Sequence, residues 1–157
     1  MASDFIIWIQ QLPQLKWRFL DRTTEEKINE LENEFKLAVP DDFKLLLLHS
    51  NGGTVYGSNN VFAWFNTEEI ALINDDPSYT DYLNGLFLIG DDNGNSIFAY
   101  DPNNLWEKGH NAIFMLDDGS LSRKSSVYIA SNIREMLSKM DEGIDFSALP
   151  WLGDTVV

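Results

Sequence analysis

The sequence predicts an α+β domain, with N-terminal helices packed on a mostly antiparallel, twisted sheet and a C-terminal helix closing the chain. Three observations carry this expectation. Apolar residues at helical spacing precede Asn51-Gly52-Gly53, short apolar runs separated by turn residues follow it, and helical spacing returns from Ser131 to Met140. With 157 residues, 44% of them apolar and 13% aromatic, the chain is long enough to bury a core and is read as one domain over 1–157.

Each element has a local reason. Phe5, Trp8, Ile9, Leu12 and Leu15 lie at helical spacing and Pro13 interrupts them, giving a short helix and a bend. Thr23 or Thr24 can cap the next helix, and Glu26 stands three residues after Thr23 as in a capping box. Ile28, Leu31 and Phe35 form its buried stripe, which fades near Lys36. In LAVPDDFKLLLLHSNGG, Pro40 suits a first helical position, Asp41 and Asp42 face the positive end of the dipole, and Asn51-Gly52-Gly53 ends the helix. Its leucines reach so far around the axis that protein must nearly surround it.

Beyond Gly53, Thr54-Val55-Tyr56 and Val61 to Phe65 read as a hairpin around Gly-Ser-Asn-Asn. Thr67 opens a helix that Asp75-Asp76-Pro77 breaks, and Ser78 to Asn84 is a short helix or loop. Leu86 to Ile89 and Ser96 to Tyr100 form a second strand pair, and Ala112 to Leu116 a further strand with Val127 to Ile129 as its partner. Ile133, Met136, Leu137 and Met140 give the last helix its apolar face. The start, MASDFIIWIQQLP, lacks a basic stretch and carries a five-residue apolar run, so it is read as neither signal peptide nor membrane span. Cysteine is absent. A soluble, cytoplasmic protein is expected.

Charge is the strongest compositional fact. Twenty-five acids against eleven bases give −14, and from Leu45 to Ser122 eleven acids face Lys108 alone, so this stretch carries −10 of the total. Such a surface repels phosphate backbones, which argues against direct nucleic-acid binding, and it either steers a basic partner toward itself or serves solubility alone.

Catalytic and metal motifs are weak. His49 falls in the last turn of the central helix, His110 in a loop, and no Gly-x-Ser-x-Gly elbow or phosphate loop is present. Asp91, Asn93 and Asn95 have the alternate spacing of a calcium loop, yet Ser96 replaces its glycine and Pro102 its final glutamate. A tight turn accounts for these residues more simply.

Thr24-Glu25-Glu26, Ile28, Leu31-Glu32, Phe35, Leu37, Val39-Pro40-Asp41-Asp42-Phe43, the leucine run and Asn51-Gly52-Gly53 together resemble the N-terminal signature of the SUKH superfamily, in its Smi/Knr branch. Trp64 to Ile70, the Ile89-Gly90-Asp91 to Tyr100-Asp101 strand pair and Ile129 to Asn132 are similar to its later parts. The resemblance covers about residues 23–140. It departs at Val39, where a leucine is usual, and leaves 141–157 as an extension whose Phe146, Leu149, Trp151 and Leu152 either pack on the core or form a contact of their own.

The resemblance implies a non-enzymatic binding domain without cofactor or metal. Many bacterial SUKH proteins look like immunity proteins that bind and neutralise a cognate polymorphic or contact-dependent toxin, often a nuclease. Others look like regulators or scaffolds that bind non-toxin proteins. On the immunity reading, a toxin with a basic surface meets acidic loops at Asp75, Asp76, Asp91, Asp92, Asp117 and Asp118, with Tyr56, Trp64 or Tyr79 as aromatic anchors. Trp64 and Tyr56 read equally as core. Glu32, a charge beside an apolar stripe, either caps backbone groups or meets a base such as Lys44, or else offers its carboxylate to the partner.

Overall fold

A computed structural model describes residues 2–153. In chain order its elements are α1 (Ala2–Gln10), β1 (Lys16–Phe19), α2 (Glu25–Phe35), α3 (Asp41–His49), β2 (Gly53–Tyr56), β3 (Val61–Trp64), α4 (Thr67–Asn74), α5 (Pro77–Thr80), β4 (Phe87–Asp91), β5 (Ser96–Asp101), β6 (Ala112–Asp117), β7 (Ser126–Ala130) and α6 (Ile133–Asp141). The strands form one sheet in the order β1 to β7, each antiparallel to the next. The expected α+β class is the observed one.

Burial along the strands shows how the layers sit. In β3, Phe62 and Trp64 are buried while Val61 and Ala63 are half-buried, and β1 alternates exposed Lys16 and Arg18 with half-buried Trp17 and Phe19. This half of the sheet is covered on one face. Leu88, Ile89 and Gly90 of β4, and Ile97 to Asp101 of β5, are buried without alternation, so the other half is covered on both. Phe5 and Ile9 of α1, Ile28 and Leu31 of α2, Phe43, Leu46 and Leu47 of α3, and Met136, Leu137 and Met140 of α6 pack with Val55, Phe62, Phe98 and Ile129 in the main core. On the opposite face Leu83, Trp106 and Leu121 pack with Leu88, Ile97, Ala99, Phe114 and Leu116.

The LAVPDDFKLLLLHSNGG segment joins these layers. Glu32 accepts a hydrogen bond from the Val39 amide at 2.8 Å and pairs with Lys44 at 3.6 Å, fixing the turn between α2 and α3. One Asp42 oxygen accepts from the Phe43 amide at 2.8 Å, and the other accepts from Ile133 at 2.6 Å and Arg134 at 3.3 Å. A side chain in the first turn of α3 thus satisfies free amides at the start of α6. Ser50 is buried: its Oγ accepts from the Leu20 amide at 2.7 Å, and its carbonyl accepts from Trp64 Nε1 at 2.9 Å. Asn51 donates its amide to Asp21 at 2.7 Å, and its side-chain oxygen accepts from Thr67 at 2.9 Å. The Ser-Asn-Gly-Gly exit therefore ties β1, β3 and α4 to the end of α3.

Several expectations need correction. The residues after the first helix are strand β1, because Trp17 and Arg18 find partners in Val55 and Thr54 far along the chain. Thr24 caps α2, accepting from Lys27 at 3.3 Å, so the Thr23–Glu26 capping box does not form. A reciprocal box does form at α4, between Asn66 and Glu69. Pro40 sits one residue before the first turn of α3, with ψ at 142°. The segment after α6 takes the first of the two expected courses and packs on the domain: Phe146 is buried against Phe98, and Trp151 bridges to Val127 on the β7 edge.

Candidate functional site

The acidic residues converge at one end of the sheet. Asp76 caps α5, its oxygen accepting from the Ser78 amide at 3.0 Å and the Ser78 hydroxyl at 2.7 Å, and the hydroxyl bond holds its carboxyl below the ordinary value. Tyr79 follows on α5, half-buried against the second-face core. The β4–β5 turn is built by its own acids: Asp91 accepts from Asn93 at 3.0 Å, and Asp92 from Gly94 at 2.9 Å and Ser96 at 3.1 Å. The β6–β7 turn meets it through the Asp118 amide, which donates to the Asn95 carbonyl at 2.8 Å.

Electrostatics show that these groups feel one another. Burial pushes the Tyr79 phenol above its ordinary value, and Asp118, Asp76 and Asp91 push it further by repelling the phenolate. Burial likewise raises the Asp91 carboxyl, opposed by the Asn93 amide and reinforced by Asp92, Glu69 and Asp118. Four expected residues, Asp76, Tyr79, Asp91 and Asp118, therefore share one surface, Glu69 joins them beside Asp91, and Asp92 adjoins Asp91 while lining a separate groove with Asn60 and Asp145. Sequence reasoning missed Glu69 as a site residue because it stands in the first turn of α4, where an acid is ordinary.

The other expected residues are engaged differently, although Asp117 adjoins Asp118 in the same turn and pairs with Ser96 across the sheet. Asp75 faces Glu34, whose carboxyl is raised chiefly by their hydrogen bond. Asp117 is exposed and closes its own turn, accepting from the Gly119 amide at 2.9 Å. Glu32 is engaged with Val39 and Lys44, as described above. Trp64 is 2% exposed with its indole N–H bonded to Ser50, so it is a core residue and is not available as an anchor. Tyr56 is 40% exposed on the uncovered face of β2. A groove of about 310 Å³ crosses that face, lined by Arg18, Thr54, Ala63, Phe65, Glu69 and Asp91, and so carries a positive group at one end and two carboxylates at the other.

This surface consists of carboxylates around one phenol. Its carboxylates serve turns and caps, and among the described residues no group of three or more histidine, aspartate or glutamate side chains is placed to hold a metal ion. A half-buried aromatic ringed by carboxylates suits contact with a basic protein surface. Residues 22–139 match the SMI1 / KNR4 family (SUKH-1). The chain belongs to the SUKH-1 family. The matched region runs from the β1–α2 connection into the last turn of α6, so α1, β1 and the segment after α6 lie outside the matched residues. No curated protein matches the chain. Among the described residues no helix is long and apolar enough to cross a membrane.

Proposed function

We propose that this SUKH-1 protein is an immunity protein that binds and neutralises a cognate toxin domain by direct protein contact, without chemistry of its own. The observation that carries the proposal is the clustering of Asp76, Asp91 and Asp118 around Tyr79, with Glu69 and Asp92 beside Asp91, in a chain of the SUKH-1 family. A toxin that handles nucleic acid needs a basic cleft, and a rigid acidic surface competes for it by presenting fixed carboxylates where phosphates would lie. The toxin is expected to be basic where it touches this chain, and Tyr79 is the central anchor.

Co-expression with the toxin encoded beside its gene tests the proposal. Growth should be rescued and a complex should co-purify, and a combined Asp91→Asn, Asp92→Asn, Asp118→Asn variant should associate about tenfold or more slowly at low salt. Absence of both rescue and complex overturns the reading for that partner. A regulator or scaffold of the same fold is the alternative, and an isolated gene favours it.

A further inference from the structure

The two edges of the sheet are treated differently. Along β7, the chain's own tail supplies the missing neighbour: Leu152 donates its amide to the Ser126 carbonyl at 2.8 Å, and Gly153 to Lys124 at 3.2 Å. At the other edge, among the described residues, β1 has a strand on one side alone, since β2 is its sheet neighbour. The Leu20 amide turns inward to Ser50, and the Arg18 carbonyl crowds Gly53, lying 2.7 Å from where a Cβ there would sit. Backbone groups alternate along a strand, so the N–H and C=O groups of Trp17 and Phe19 point outward.

Charge is unusual at this edge. From Leu15 to Thr24 the chain carries Lys16, Arg18 and Arg22 against Asp21, a balance of +2 in a molecule of −14. Lys16 and Arg18 are exposed, and among the described residues neither forms an ion pair. Their side chains lie on the uncovered face, while Trp17 and Phe19 turn to the other, where both rings meet Trp64. Short edge strands carrying bases are a common defence against pairing with a like edge. The same bases reject a second copy of β1 and select a strand of opposite charge.

We infer that the outer edge of β1 is a strand-addition site for an extended acidic segment of a partner protein, in which carboxylates beside Lys16 and Arg18 alternate with apolar residues beside Trp17 and Phe19. The site lies before the family-matched region and does not rest on the immunity reading, because its charge is opposite to that of the Tyr79 surface.

An eight-residue peptide alternating Glu and Val, titrated into the full chain and followed by NMR, tests it. Binding should slow amide exchange at Trp17 and Phe19, and a Lys-Val peptide should bind about tenfold more weakly. Combining Lys16→Glu with Arg18→Glu should invert that preference. N-methylating one alternate set of peptide amides should abolish binding and the other set should leave it intact, because one set alone faces β1; this control needs no variant of the protein. Equal binding of the two peptides, binding insensitive to both N-methyl sets, or no protection at Trp17 and Phe19 overturns the inference. Protection of these amides without peptide, together with a concentration-dependent dimer in sedimentation, overturns it in favour of a second copy.

Discussion

Thr23 and Thr24 stand side by side and do opposite things. Thr24 accepts from the Lys27 amide at the start of α2, whereas the Thr23 hydroxyl is buried without a hydrogen-bond partner. Losing an N-cap costs about 1 kcal/mol, while removing an unpaired buried hydroxyl at constant shape is neutral or stabilising. Thr24→Ala should therefore lower the urea midpoint and Thr23→Val should hold or raise it. The reverse ranking would restore Thr23 as the cap. Spacing alone leaves the two threonines equivalent, since either stands before the same acidic first turn. Glu32 is similar: its place beside Leu31 marked it as unusual, and the Val39 amide and Lys44 decide what it does.

Elements are joined here by side chains that belong to one and finish another. Asp42 begins α3 and caps α6, a link between positions 91 residues apart in the chain. Burial holds its carboxyl above the ordinary 3.8, against the lowering effect of the Ile133, Arg134 and Phe43 amides and the Arg134 charge. The folded state thus binds this proton more tightly than the unfolded chain. The group's contribution is full below the unfolded value and is lost as pH rises through the folded one. The stability of the protein minus that of Asp42→Asn should fall as pH climbs from about 4, then flatten, as read from denaturant midpoints at a series of pH values. A difference that grows with pH would mean that the charged carboxylate is the favoured form. Helices such as α3 and α6 were legible because apolar spacing and caps are local. Strand β1 was not, because KWRF carries two bases in four residues and becomes a strand through pairing with β2.

Across the whole molecule, the acids act as a group because the meander brings the ends of β4 and β6 to the same side as α5. Repulsion within that group predicts a titration result. Asp118→Asn should lower the pKa of the Tyr79 phenol and of the Asp91 carboxyl together, since Asp118 helps raise both. Tyr128, raised by its own burial and by Glu135, should not move and serves as the control. NMR titration of the three groups checks this, and unchanged Tyr79 and Asp91 would separate the two turns. The acidic loops were legible as a charge count. Their selection was not, because Asp75 and Asp117 look the same in sequence as Asp76 and Asp118 and differ in what lies beside them.

The sequence by itself determined the family, the α+β class, the position of α3 and the excess of negative charge between Leu45 and Ser122. These follow from residue type and from spacing within a few turns, where local sterics and periodicity act. Tertiary structure alone decided that Trp64 is core and Tyr79 is surface, that Asp42 serves α6, and that the tail pairs with the start of the β7 edge while, among the described residues, no strand pairs with the outer side of β1. Burial and hydrogen-bond partnership are properties of pairs brought together by folding, so no single position in the chain carries them.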